Sequence, residues 1–223
     1  MAIFSAFFQI INSIVTLYCG VYGFSNFKYL KKSRILVLLP ICSGIQIIFV
    51  EVFKTINHTE YRVGLVEHLT VMIYLIFEII VILIFFYSTS KSLLFKSILI
   101  IILLISVAII INDYIEYKWH NENDFKFQIF EGIAIEFLSF FSIARFFMKG
   151  KIENVYLESE NLFTIGIFFG FVIIAPFSVL QNFLTSKGGI LYEISFIANS
   201  FGYLIMFIFF ILGIYASRKS NTI

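Results

Sequence analysis

The chain has 223 residues, of which 60% are hydrophobic and 13% are charged. Soluble domains usually carry about 25% charged residues and about 45–50% apolar ones, so this composition excludes an ordinary soluble domain. The net charge is only +2 and the basic residues form no stripe, which argues against a nucleic-acid partner. No cofactor is expected.

Seven apolar stretches account for most of the chain. About 20 apolar residues in a helix cross the roughly 30 Å of bilayer hydrocarbon. These stretches are expected to be helices, because lipid cannot satisfy an exposed backbone group and the alternation of a barrel strand is absent. The sequence therefore predicts an all-α polytopic membrane protein, with residues 1–223 as a single seven-helix transmembrane domain and no soluble domain. The predicted spans are 3–24, 35–54, 64–87, 93–112, 127–147, 162–183 and 190–216.

Lysine and arginine residues in the connections predict the orientation. Eleven lie on one side of the predicted spans and five on the other. The richer side is normally cytoplasmic, which places the N-terminus outside and the C-terminus inside a bacterial inner (cytoplasmic) membrane. Its basic loops offer a surface for a partner protein. The eleven residues are Lys28, Lys31, Lys32, Arg34, Lys91, Lys96, Arg145, Lys149, Lys151, Arg218 and Lys219.

Two glutamates, Glu78 and Glu136, fall near the middle of their predicted spans. A charge at that depth costs at least about 2.5–3.5 kcal/mol, and two carboxyls that face each other could share one proton. Tyr74 lies four residues before Glu78 on the same helix face, while Asn12 and Asn199 fall at similar depth. These five residues are the predicted ligand- or proton-binding site. The alternative is purely structural, with hydrogen bonds between helices worth about 0.6 kcal/mol each.

The other glutamates in the spans lie close to the outer surface. Glu51, Glu67, Glu131 and Glu193 are expected to reach the outer water, as long side chains near helix ends do. An alternative interpretation groups His68, Glu67 and His120 as the metal ligands of an outer-facing membrane hydrolase, because histidine and carboxylate bind zinc. No pair among them has a zinc-ligand spacing, so the solvated helix ends are the preferred interpretation.

A weak internal repeat accompanies this layout. Residues 8–10 near the start of the first span read Phe-Gln-Ile, as do residues 127–129 at the start of the fifth. The match suggests a 3+1+3 arrangement whose halves are parallel, related by an axis along the membrane normal. In the sixth span, Gly166 and Gly170 form a small-xxx-small pair that permits close helix approach, and Pro176 should kink the helix.

The segments 73–78, 134–139 and 199 onward carry a resemblance to a family of small heptahelical bacterial integral membrane proteins, uncharacterised in function. The resemblance implies a seven-helix fold and lends no activity. The chain is also similar in size and topology to the SWEET sugar transporters, although Pro40 and Pro176 lie at different depths. A retinal pigment is not expected, because the seventh span contains no lysine to form a Schiff base.

These observations predict a transporter of small solutes or one coupled to protons, or else a receptor-like sensor, that uses a buried carboxylate pair. The alternatives are the metal-dependent hydrolase and a membrane scaffold that binds no ligand. The expected partners are the lipid bilayer, a small solute or proton, and a protein on the basic loops.

Overall fold

The computed structural model describes residues 2–56, 60–120, 126–148, 158–185 and 190–220, and within these ranges every long element is a helix. The all-α prediction is therefore confirmed. The helices are α1 (Ala2–Ser25), α2 (Leu38–Ile56), α3 (Glu60–Thr89), α4 (Leu93–His120), α5 (Lys126–Met148), α6 (Ser159–Thr185) and α7 (Ile190–Ser220).

The outside of the bundle is apolar. Helices α2 to α7 each contain a stretch long and apolar enough to cross a membrane, and α1 is apolar from Ile10 to Ser25. Along α4 most large aliphatic side chains are exposed, among them Ile100, Leu104 and Ile111. Soluble monomers rarely expose such continuous apolar surface, so the polytopic membrane fold predicted from the sequence is confirmed.

Two connections differ from the predicted boundaries. Helix α4 continues to His120, so the first part of the predicted outer loop 113–126 is helical. Asp113, which was expected in that loop, is buried and accepts a hydrogen bond from the backbone N–H of Phe127 at 3.0 Å. Between α1 and α2 the chain forms two 3-10 helices, Phe27–Tyr29 and Lys31–Val37. Pro40 is then in the first turn of α2, where a missing N–H is tolerated.

Helices α6 and α7 make the closest contact in the bundle, through glycines. A Cβ added at Gly166 would lie 2.6 Å from the Cβ of Phe209, and one added at Gly170 would lie 3.1 Å from the carbonyl oxygen of Gly202. These distances leave no room for a side chain, so the predicted close approach at Gly166 and Gly170 is confirmed. Pro176 lies inside α6, which continues past it to Thr185.

Most of the described basic residues gather at one end of the bundle, which we call the basic end. The Ser217 hydroxyl donates to the carbonyl of Tyr29, and the Arg145 guanidinium donates to Ser90 Oγ at 3.5 Å. These contacts bring together the α1–α2 connection, the α3–α4 connection and the C-terminal ends of α5 and α7. The described basic residues at this end are Lys28, Lys31, Lys32, Arg34, Lys91, Lys96, Arg145, Arg218 and Lys219.

Two of the three helix pairs that a 3+1+3 repeat requires match in length, whereas α2 and α6 have 19 and 27 residues. Helices α1 and α5 have 24 and 23 residues, and α3 and α7 have 30 and 31. Helix α4 is the least buried of the six long apolar helices and lies at the edge of the bundle, as a connector would. The 3+1+3 repeat stays a prediction that superposition of the two halves would test.

Candidate functional site

Glu78 is the centre of a buried polar cluster. It is the tenth residue of the 21-residue apolar stretch Leu69–Thr89, and its side chain is 0% exposed. The Tyr203 hydroxyl of α7 donates to Glu78 Oε2 at 2.9 Å, and the Tyr74 hydroxyl of α3 donates to Oε1 at 3.3 Å. In the described part of the chain, no lysine, arginine or histidine interacts with this carboxyl. Glu78 therefore has two neutral donors and no cationic partner among those residues.

A second carboxyl, Glu131 of α5, belongs to the same cluster. Glu131 interacts electrostatically with Glu78, and its side chain is only 1% exposed. The expectation that Glu131 reaches the outer water is therefore wrong. The reason is its place on α5, where it shares the buried face with Phe127, Ile135 and Leu138. Its Oε1 is buried and has no hydrogen-bond partner among the described residues.

Close contacts with α6 position the two cluster residues that lie outside α3, Glu131 of α5 and Tyr203 of α7. Glu131 precedes Gly132, where an added Cβ would lie 2.8 Å from the Cβ of Ala175 in α6. Tyr203 follows Gly202, where an added Cβ would lie 2.6 Å from Ile174 Cγ1. Each glycine lets its helix approach α6 at the level of the cluster. Helix α6 thus sets the positions of α5 and α7 at the level of the cluster.

Neutral polar side chains lie between the cluster and the end opposite the basic end. Ser43 of α2 lies beside the Tyr74 hydroxyl. On α7, Ser195 and Asn199 precede Tyr203 at intervals of four residues, which places all three on one helix face. Ser195 is fully buried and Asn199 half-buried. On α3, the half-buried Thr70 lies one turn before Tyr74, as Asn199 lies one turn before Tyr203 on α7.

Packed aromatic rings separate the cluster from the basic end. Tyr203 stacks on Phe207 with ring centroids 6.2 Å apart, and Phe207 meets Phe210 edge-on at 6.0 Å. Phe163 of α6 contacts Phe210 at 5.2 Å and Phe85 of α3 at 6.4 Å. These four phenylalanines, Phe85, Phe163, Phe207 and Phe210, form what we call the aromatic layer. Each is at most 1% exposed, so a layer of buried aromatic rings lies between the cluster and the basic end.

The structure brings some of the predicted site residues together and not others. Glu78 and Tyr74 are in contact. Glu136 is half-buried and lies five residues after Glu131, which rotates it about 140° away from the buried face at the helical repeat. Asn199 lies one turn before Tyr203. Asn12 of α1 is half-buried, with its Oδ1 buried and without a hydrogen-bond partner among the described residues.

Sequence reasoning missed two members of the cluster. Tyr203 was not among the predicted site residues, and Glu131 was expected to reach the outer water. A pattern in α5 identifies Glu131: the small residues Gly132 and Ala134 follow it in the sequence and lie on either side of it around the helix, while large apolar side chains such as Phe137 are exposed. Small residues mark the helix face that approaches other helices in a membrane.

The residues of the hydrolase alternative lie on α3 and α4. Glu67 and His68 belong to α3 and His120 ends α4, but their side chains lie outside what the structure describes. The side chains of the outer glutamates Glu51 and Glu193 also lie outside what the structure describes. Among the side chains that are described, no group of three histidine, cysteine or acidic residues is placed to hold a metal ion.

The two cysteines are not paired. Cys19 is buried in α1 and Cys42 is half-buried in α2, and both are free thiols. Comparison of the chain with models of protein families, with curated proteins and with solved structures found no match.

Proposed function

We propose that this polytopic membrane protein binds a small solute together with protons at the cluster of Glu78, Tyr74, Tyr203 and Glu131. The observation that carries the proposal is the fully buried Glu78 carboxyl, which two tyrosine hydroxyls contact from two helices. An amide would serve helix packing equally well without the cost of an ionisable group at this depth. A carboxyl that must gain and lose a proton explains that cost.

The distribution of polar and aromatic side chains supports entry from one side. Polar groups such as Ser195 and Thr70 extend from the cluster toward the end opposite the basic end, while the aromatic layer lies between the cluster and the basic end. If the basic end is cytoplasmic, as the charge rule predicts, the site opens toward the outside of an inner membrane. The N-terminus is then outside and the C-terminus inside.

Infrared difference spectroscopy tests the proton-binding role directly. A protonated carboxyl has a carbonyl stretching band that a carboxylate lacks, so purified protein is compared in mildly acidic and mildly alkaline buffer. We expect a band that is absent from Glu78→Gln and is shifted in Tyr203→Phe, whose hydroxyl no longer contacts the carboxyl. Glu136→Gln is the matched control, since it removes a half-buried carboxyl outside the cluster. An unchanged difference spectrum in Glu78→Gln would refute the proposal.

A second measurement separates a transporter from a receptor-like sensor. Protein reconstituted in liposomes with a trapped pH dye is given an imposed pH gradient. A transporter that carries protons dissipates the gradient, and Glu78→Gln abolishes that flux. A sensor titrates in the infrared experiment but carries no flux, and it then needs a partner protein, for which the basic end offers the surface. Titration without flux therefore favours the sensor.

A further inference from the structure

The cluster contains more acceptors than donors. Its two carboxyls supply four oxygens, and the two tyrosine hydroxyls both donate to Glu78. Glu131 Oε1 is buried without a hydrogen-bond partner in the described part of the chain. A buried acceptor in that condition costs free energy, so the site is incomplete as it stands. What it lacks is a donor or a positive charge beside Glu131.

The net charge of the site limits which species can fill it. With both carboxyls ionised, the cluster carries two negative charges deep in an apolar bundle, which is strongly unfavourable. Among the forms that keep at least one proton, two are neutral: one with two protons, and one with a single proton and a single monovalent cation. The titratable groups that interact with Glu131 are Glu78, Tyr74 and Tyr203. On α4, the buried Asp113 carboxyl accepts a hydrogen bond from the N–H of Phe127, one turn before Glu131 on α5.

We propose that Glu131, together with Glu78, binds a dehydrated monovalent metal cation in exchange for a proton. This inference rests on the proposed function and names the class of its substrate. The donor set is all oxygen, from carboxylates and hydroxyls, which suits hard cations. Ca²⁺ takes about 6–8 oxygen ligands and Mg²⁺ usually keeps several of its waters, whereas a monovalent ion sheds its water more readily on entering a buried site. Because Glu131 Oε1 is buried from solvent, the expected occupant is an ion that has lost its water.

The requirement for a neutral site also couples cation release to proton uptake. A site that releases the cation without taking up a proton is left with an uncompensated negative charge, which the apolar surroundings disfavour. Cation and proton therefore replace each other one for one. Neutral oxygen-bearing side chains, Thr70, Ser195 and Asn199, lie toward the end opposite the basic end, where an ion that is losing its water needs temporary ligands.

The test is a thermal-stability titration of the full-length protein in detergent with the metal ions alone. Sodium, potassium and lithium chloride are each compared with N-methylglucamine chloride at equal ionic strength, since a ligand that binds the folded state raises Tm with its concentration. At least one metal ion should raise Tm above the organic cation. With one proton released per cation bound, the apparent affinity should rise about tenfold for each pH unit of increase.

Two glutamates of the same helix provide the variants. Glu131→Gln should abolish the ion-dependent shift in Tm, whereas Glu136→Gln should retain it. Absence of any difference between the metal ions and N-methylglucamine in the wild type would overturn the proposal, as would an equal shift in Glu131→Gln. If Glu131→Gln does not fold, equilibrium binding of radioactive sodium, potassium and rubidium to the wild type decides. Saturable binding displaced by acid supports exchange, and binding of none of them, or binding that acid does not displace, overturns it.

The two proposals fail separately. If Glu78 titrates in the infrared experiment but no metal ion stabilises the protein, the proposal of cation binding is refuted and the proposal of proton binding stands. If Glu78→Gln leaves the infrared spectrum unchanged, the proposed function itself is refuted.

Discussion

Replacing Tyr203 with phenylalanine isolates the hydrogen bond that joins α7 to α3. The substitution removes the hydroxyl, which donates to Glu78 Oε2 at 2.9 Å, and keeps the ring. The ring contacts with Tyr74 at 6.5 Å and Phe207 at 6.2 Å are then preserved. Any loss of stability in Tyr203→Phe therefore reports the hydrogen bond rather than packing.

The geometry sets the expected magnitude. Hydrogen bonds between membrane helices average about 0.6 kcal/mol in double-mutant cycles and reach about 1.7 kcal/mol. The Tyr203 bond lies within the normal range of length and its acceptor is a fully buried carboxyl, so we expect a loss of about 1.5 kcal/mol, roughly tenfold in the unfolding equilibrium. The Tyr74 bond is longer, at 3.3 Å. For Tyr74→Phe we expect a loss near the average, about 0.6 kcal/mol.

The assay is reversible unfolding in mixed micelles with increasing dodecyl sulfate, followed by circular dichroism. A double-mutant cycle with Glu78→Met removes the acceptor while keeping a side chain of similar length. In that background Tyr203→Phe should cost close to nothing, because the hydroxyl has lost its partner already. An equal loss with and without Glu78, or no loss in the single variant, would show that the bond does not hold α7 against α3.

Three further outcomes test the packing and the topology. Gly202→Ala should lower the unfolding free energy by about 1–3 kcal/mol in the same assay, because the added Cβ would meet the backbone of α6. Gly44→Ala is the control and should be tolerated, because its Cβ would meet only a side chain, at 3.0 Å. Equal losses in the two variants would contradict the packing. Asp113→Ala should lose about 1 kcal/mol, as removal of a helix cap does, because the N–H of Phe127 loses its acceptor; an unchanged unfolding midpoint would count against this. In a background without the native cysteines, Lys219→Cys should react with an impermeant maleimide only after the cells are permeabilised, and labelling of intact cells would reverse the orientation.

The helices could be predicted because their cause is local. An apolar run of about 20 residues has one stable form in lipid, so each predicted span coincides with a helix to within a few residues at most ends. The boundaries failed where polar residues continue a helix beyond the hydrocarbon. Helix α4 runs past Asp113 because that side chain finds a partner at the start of α5, which a hydropathy pattern does not record.

The second carboxyl illustrates the limit of reasoning from depth. Glu136 lies closer to the centre of its span than Glu131, so depth alone selected Glu136. Rotation about the helix axis decides burial just as strongly, and the five residues between them turn Glu136 off the buried face. The small residues beside Glu131 indicate the correct face. Depth and helix phase must therefore be combined to identify a buried carboxyl from sequence.

Tyr203 could not have been assigned from the sequence by any local rule. Its partner Glu78 is 125 residues away, and the bond forms only because α7 packs against α6 at Gly202 and Gly170. That contact is itself a product of two glycines on different helices. The sequence indicates that each glycine permits close approach, but the pairing between them is a property of the assembled bundle.

The cluster joins helices from the two halves of the chain, so its charge affects how the two halves are held together. Helices α5 and α7 are each held against α6 by a glycine contact, and these contacts lie beside Glu131 and Tyr203. Glu78 belongs to α3, and Ser43, which lies beside Tyr74, belongs to α2, in the other half of the chain. The hydrogen bond of Glu78 with Tyr203 and its electrostatic interaction with Glu131 thus cross from one half to the other. A proton or cation that changes the charge on these groups changes the attraction between the halves, which is the mechanical requirement of a transporter and a sensor alike.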